Sequence, residues 1–202
     1  MSTTANALTL PLSHSPTVAH SHALTLQERC SKIDWLVLDV DAVLTDGGIM
    51  YTDGGAELKK FHVRDGSGLK IWQHVGKRSA IITGRTSRIV DVRAAELGIA
   101  PVFQGATFKL AAYRQLLKEN GLRPEQVCCI GDDVPDLPLL RNCGLAVAVG
   151  DACADVLGDV QYVTRACGGR GAVRETIELI LRCQGRWQEI VERFRRETLN
   201  AE

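Results

Sequence analysis

The run WLVLDVDAVLTDGG, residues 35–48, decides the fold. Residues 35–40 are almost wholly apolar, the pattern of a short strand covered on both faces of a parallel sheet. Two carboxylates one residue apart, Asp39 and Asp41, stand at its end, and the turn formers Thr45, Asp46, Gly47 and Gly48 follow. Outward from there, residues 47–63 (GGIMYTDGGAELKKFHV) read as two strand-like runs around TDGG, with Asp53-Gly54 as the expected hairpin turn. Helix and strand signals then alternate. Helices are expected over 67–75, 86–97, 110–117, 135–141 and 173–183, and strands over 79–82, 101–103, 126–130, 145–149 and 160–163. This alternation predicts an α/β fold, a three-layer doubly wound parallel sheet with a Rossmann-like core. The expected division is a leader over 1–30, the domain over 31–184 and a C-terminal helix or tail over 185–202, where Trp187, Ile190, Val191 and Phe194 form an apolar stripe.

The composition narrows the function. With 24 Lys+Arg against 24 Asp+Glu, the 202-residue chain lacks the basic excess of a nucleic-acid binder. Its seven cysteines are scattered, odd in number and free of CxxC spacing, which suits thiols in a reducing compartment and so a cytoplasmic protein. No run approaches the roughly 20 apolar residues of a membrane span. The first 26 residues carry no Asp, Glu, Lys or Arg, and lack both the basic and the continuous apolar regions of a signal peptide. No GxxxxGK[ST] segment is present, nor a GxGxxG after the first strand, which argues against a P-loop ATPase and a dinucleotide-binding enzyme.

Ligands in doubly wound sheets bind beyond the carboxyl ends of the strands. Four ends carry chemistry here: Asp39 and Asp41; Thr83-Gly84-Arg85; Lys109 after the third; and Gly131-Asp132-Asp133 with Asp136. Crowded carboxylates raise one another's pKa, and a divalent cation removes that cost. Magnesium takes hard oxygen ligands, so Asp39, Asp132 and the carbonyl of Asp41 form a candidate Mg²⁺ site, with Asp133 or Asp136 supporting it. The same set suits phosphoryl transfer. Asp39 can serve as carboxylate nucleophile and Asp41 as acid and then base. Thr83 and the N–H groups near Gly84 can hold phosphoryl oxygens, and Lys109 can balance the negative charge.

Those residues resemble the haloacid dehalogenase-like phosphatases. More narrowly, LVLDVDAVLTDGG, FHVRDGSGLKIW, IITGRTS, FKLAAYRQLL, IGDDVPDLPLLRNCGLAVAVGDA and YVTRACGGRGAVRE are similar to the 3-deoxy-D-manno-octulosonate 8-phosphate phosphatase family, over about residues 35–187. The resemblance implies a core without a large cap domain, with a small β-hairpin insertion over 48–63. It implies Asp39 as nucleophile, Asp41 as acid/base, Thr83 and Lys109 at the phosphoryl group, and Asp132 with Asp39 and the Asp41 carbonyl around magnesium. It further implies a homotetramer with central hairpins, each site covered by a neighbouring subunit. Substrate-side roles fall to Arg64 with the following Asp65-Gly66, to Gly84 and Arg85, and to Arg170 on the segment CGGRG, which would reach an adjacent site. Arg64 paired to a carboxylate, and CGGRG as a capping turn, are the plainer readings.

Three positions depart from the family pattern: Ala42 where glycine is usual, Phe108 before Lys109, and Thr86 in GRTS. The activity implied is release of phosphate from 3-deoxy-D-manno-octulosonate 8-phosphate, on the way to lipopolysaccharide. The alternatives are a phosphatase for the 9-phosphate of a nine-carbon 2-keto-3-deoxy sugar acid, or a non-catalytic oligomerisation domain.

Overall fold

The computed structural model describes residues 24–197. Its strands are β1 (Trp35–Leu38), β2 (Met50–Tyr51), β3 (Glu57–Leu58), β4 (Arg78–Ile82), β5 (Val102–Phe103), β6 (Val127–Gly131), β7 (Leu145–Ala148) and β8 (Tyr162–Val163). Its helices are α1 (Leu26–Ser31), α2 (Val63–His74), α3 (Arg88–Leu97), α4 (Lys109–Asn120), α5 (Leu137–Leu140), α6 (Ala172–Cys183) and α7 (Trp187–Glu197). Six strands form one parallel sheet in the order β5-β4-β1-β6-β7-β8, and β2 and β3 form a separate antiparallel hairpin. No further domain interrupts the described chain. No helix among the described residues is long and apolar enough to cross a membrane.

Strand β1 is apolar at every position because both of its faces are covered. Leu36 and Leu38 pack with Cys128, Ile130 and Val147 into a core that includes Trp72 of α2 and Ile177 of α6. Trp35 and Val37 point the other way, into a core shared with Tyr113 and Leu116 of α4. Side chains alternate across a strand, so one run of four supplies both layers. Each large side chain removed from water contributes about 1.5–3 kcal/mol.

The chain runs from β1 outward through β4 and β5, then crosses back to β6 on the other side of β1. Strand order therefore reverses between β1 and β6, and the loops leaving the two strands diverge there to open a crevice. The register sets Leu38 opposite Ile130, so Asp39 and the residues after Ile130 meet at that opening.

Three expectations shift. Helix α2 begins at Val63 rather than at residue 67 and takes in both Gly66 and Gly68, residues of low helix propensity. Gly68 serves packing instead: a Cβ there would lie 3.3 Å from the Arg174 Cα of α6. The hairpin turn is also longer than Asp53-Gly54, since Tyr51 pairs with Glu57 and the Thr52 N–H donates to the Ala56 carbonyl at 2.9 Å. The boundary expected at residue 30 falls within α1, which is capped reciprocally by Thr25 and Glu28 and buries Cys30 completely. Residues 1–23 of the expected leader lie outside the described residues. In the tail, Trp187 and Ile190 of α7 belong to the same core as α6.

Asp65, expected on the substrate side, is 2% exposed and accepts hydrogen bonds from the N–H groups of Gly171 (3.1 Å) and Arg174 (2.8 Å) at the start of α6. Asp65→Ala is expected to lower stability by about 1–3 kcal/mol, the cost of leaving buried donors unpaired. A fall in the denaturant midpoint at unchanged m-value is the readout.

Candidate active site

Three acids and one ammonium meet in the crevice. Asp39 leaves β1, Asp132 leaves β6, and Asp136 ends the short 3₁₀ turn that follows. One carboxylate oxygen from each lies within 4.8 Å of the others, a cluster able to hold a divalent cation. Lys109, the first residue of α4, places its Nζ 2.8 Å from Asp39 Oδ2 and 2.6 Å from Asp136 Oδ1. The second oxygen of Asp136 accepts from the N–H groups of Asp132 (3.0 Å) and Asp133 (3.4 Å), which fixes the loop carrying Asp132.

Charge decides what this site can bind. With all groups ionised, three carboxylates against one ammonium leave two uncancelled negative charges in a partly desolvated pocket. Burial first, then the Asp136 and Asp39 carboxylates, push Asp132 up to about 7 against the pull of Lys109. Burial also raises the Asp39 carboxyl, opposed by Lys109 and assisted by Asp136. Lys109 is itself raised: desolvation would lower it, but Asp39 and Asp136 prevail. The oxygen donors and the charge deficit fit a hard divalent cation. Asp133 stands apart, exposed and accepting from the Val134 N–H at 2.8 Å, so it caps the turn.

The loop after Asp39 folds tightly on itself. The Val40 carbonyl accepts from the N–H groups of Val43 (3.3 Å), Leu44 (2.9 Å) and Thr45 (3.0 Å). That curl places Ala42 at φ +60°, the left-handed region that favours glycine. The CGGRG segment lies directly against it in the same chain. A Cβ on Gly168 would sit 1.6 Å from the Ala42 carbonyl oxygen, and the Gly169 N–H donates to the Val43 carbonyl at 2.9 Å. The glycines thus permit a close backbone approach. Arg170 is exposed, with its guanidinium 3.9 Å from Asp46. Arg64 is exposed on the first turn of α2.

Asp41 is not part of the acidic cluster. The hairpin reaches it: Lys59 ion-pairs with Asp41 Oδ1, and Glu57 lies 3.5 Å from the same ammonium. Glu57 also pairs with Arg85 at 2.8 Å and accepts from the Ser87 hydroxyl. Thr83 is buried at the end of β4, and Gly84 is exposed beside it. Lys59 and Glu57 escaped the reading of the sequence. In ELKKFHV they look like the polar positions of a short strand, and no spacing marks them as site residues.

A parallel doubly wound sheet with this constellation at its switch point defines a haloacid dehalogenase-like hydrolase. The family model for haloacid dehalogenase-like hydrolases matches residues 80–173. The 3-deoxy-D-manno-octulosonate 8-phosphate phosphatase of Escherichia coli K12 is 45% identical over 161 residues, spanning 80% of this chain and 86% of that protein. The chain belongs to that phosphatase family. Among solved structures, the Yersinia pestis phosphatase is 45% identical with a TM-score of 0.79, covering 81% of this chain and 88% of its own. The Moraxella catarrhalis phosphatase, solved with magnesium ion, phosphate ion and KDO, is 40% identical with a TM-score of 0.81, covering 83% and 97%.

The alanine at the left-handed position supplies a direct test. A non-glycine residue there costs about 1–2 kcal/mol. Glycine relieves that strain but loosens the unfolded chain by about 0.4–1 kcal/mol. Ala42→Gly is therefore expected to stabilise the protein by a net ~0.5–1 kcal/mol, measured by denaturant unfolding.

Proposed function

We propose that the protein hydrolyses 3-deoxy-D-manno-octulosonate 8-phosphate to the free sugar acid and phosphate, with Mg²⁺ as cofactor, in the cytoplasm. The observation that carries this reading is the three-acid cluster held by buried Lys109, in a chain of this family.

Asp39 acts as the nucleophile. Its carboxylate oxygen forms a bond to phosphorus while the ester P–O bond breaks, giving an aspartyl-phosphate. Asp41 donates a proton to the departing sugar oxygen, then takes one from the water that cleaves the acyl-phosphate. Thr83 and the N–H of Gly84 hold phosphoryl oxygens, and Lys109 neutralises charge that gathers on them. Asp39, Asp132 and the Asp41 carbonyl would hold Mg²⁺, which supplies charge neutralisation and orients the phosphoryl oxygens. Asp136 acts through Asp132 and Lys109, whose positions it fixes. Arg64 and Arg170 are the cations assigned to the sugar acid, whereas Arg85 is held by Glu57.

The test is phosphate release across eight-carbon and nine-carbon sugar acid phosphates and simple hexose phosphates, with and without Mg²⁺. Turnover is expected on the eight-carbon substrate, to vanish on chelation, and to fall by at least about 10³-fold in Asp39→Asn, as for removal of a covalent nucleophile. Preference for the nine-carbon acid would leave the chemistry and change the substrate. A folded protein that, loaded with Mg²⁺, releases no phosphate would overturn the reading.

The hairpin supports the homotetramer. Ile49, Met50, Tyr51 and Leu58 are all exposed on it, a concentration of apolar surface that suits burial between copies. Tyr51→Glu is expected to shift the sedimentation mass from four chains towards one.

A further inference from the structure

Asp41 has two carboxylate oxygens, and the structure treats them differently. Oδ1 is held by Lys59, whose side chain is only 3% exposed. Oδ2 has Arg85 Nε at 3.6 Å, too far for a hydrogen bond. With Asp41 ionised, Lys59 and Arg85 are balanced by Asp41 and Glu57, so the four charges then sum to zero and each cation faces two carboxylates. Such a closed set is poorly suited to capturing an anion. It is well suited to fixing a carboxylate, because a buried ammonium tied to a second acid cannot swing away without stranding a charge.

We propose that Lys59 is a positioning residue for Asp41: it grips Oδ1 so that Oδ2 is presented to the leaving oxygen. This rests on the phosphatase reading given above. The step it serves is one proton transfer. Asp41 enters the step with a proton on Oδ2. As the Asp39 oxygen bonds to phosphorus and the ester P–O bond breaks, the bond's electron pair goes to the sugar oxygen, which takes that proton and leaves Asp41 ionised in its pair with Lys59. The water that later attacks phosphorus returns a proton to the same oxygen. Glu57 completes the device by holding Lys59 on one side and Arg85 and Ser87 on the other.

A residue that acts through the acid leaves a signature in the leaving group. A sugar alkoxide needs its proton at bond cleavage, whereas p-nitrophenolate leaves without one. General acid catalysis contributes about 10²–10⁴-fold, and a displaced catalytic group can forfeit about 10²-fold. Lys59→Met, which keeps the stem and removes the charge, is expected to lower kcat on the sugar acid phosphate by about 10–100-fold. The loss on p-nitrophenyl phosphate should be at least about ten-fold smaller, and Lys59→Arg should restore part of the difference. Equal losses on the two substrates, or no loss on either, would overturn the positioning role. If Lys59→Met fails to fold, Lys59→Arg and Glu57→Gln carry the same comparison, and a uniform loss in both overturns it. The two readings fail separately. Wild-type protein inactive on both phosphates, or Asp39→Asn still active on both, would remove the phosphatase reading and this one with it. Active wild type with equal losses in the Lys59 variants removes only this one.

Discussion

The buried ammonium of Lys109 is the interaction on which the rest of the site depends. Asp39 and Asp136 arrive from different loops, and their mutual repulsion in a partly desolvated pocket would drive the loops apart or force protons onto them. One Nζ within 2.8 Å of both carboxylates keeps them together. Removing it would strand two acids, and uncompensated buried charge is among the costlier defects a fold can carry. Asp136 then uses its other oxygen to hold the backbone before Val134, so the position of Asp132 derives from Lys109 at one remove. The arrangement cancels one charge of three. The remainder is the driving force for recruiting a cation together with an anionic substrate.

The fold supplies that cluster through its crossover. Because β1 lies between β4 and β6, a residue just past β1 has the ends of both neighbours beside it. Helix α4 begins at Lys109 and so aims a cation at the same point. The loop after Asp39 must turn sharply to leave room, and the curl around the Val40 carbonyl does so at the expense of a left-handed Ala42. Gly168 and Gly169 brace that curl from outside, in contact that a side chain on Gly168 would block. The same chain end is tied back by Asp65, so the first turn of α6, the glycine brace and the loop of Asp39 form one mechanical unit.

What could be read from the sequence follows from how local the cause was. The apolar run 35–40 and the acids after it were legible because strand burial and its carboxyl end share one short stretch. Asp39, Asp132 and Lys109 meet as the strand ends implied. Positions set by distant packing were not legible. Gly66 and Gly68 have low helix propensity, yet both lie in α2: a Cβ on Gly68 would meet Arg174 of α6, and one on Gly66 would meet Arg93 and Leu97 of α3. Helix α1 did have a local signal, Thr25-Leu-Gln-Glu28, the reciprocal cap that precedes an apolar turn. It was hidden by the uncharged segment before it. Lys59 had no such signal, since a lysine on a hairpin is ordinarily a solvated edge residue, and only the folding of the hairpin back towards β4 turns it inward.

That inward turn gives the hairpin two faces with different demands. Met50 pairs with Leu58 and leaves an exposed apolar face, while Tyr51 pairs with Glu57, which with Lys59 turns the other face towards Arg85, Ser87 and Asp41. An isolated two-stranded hairpin is marginal in water. Here β2 and β3 have only two residues each, so their placement depends on what they touch. The ion pairs on the inner face therefore fix the conformation that leaves Met50 and Leu58 exposed on the outer one. Within a single chain the ion pairs of Glu57 and Lys59 already hold the hairpin against Asp41 and Arg85, so the position of Asp41 is set by charges on a segment too short to be stable by its own strand pairing.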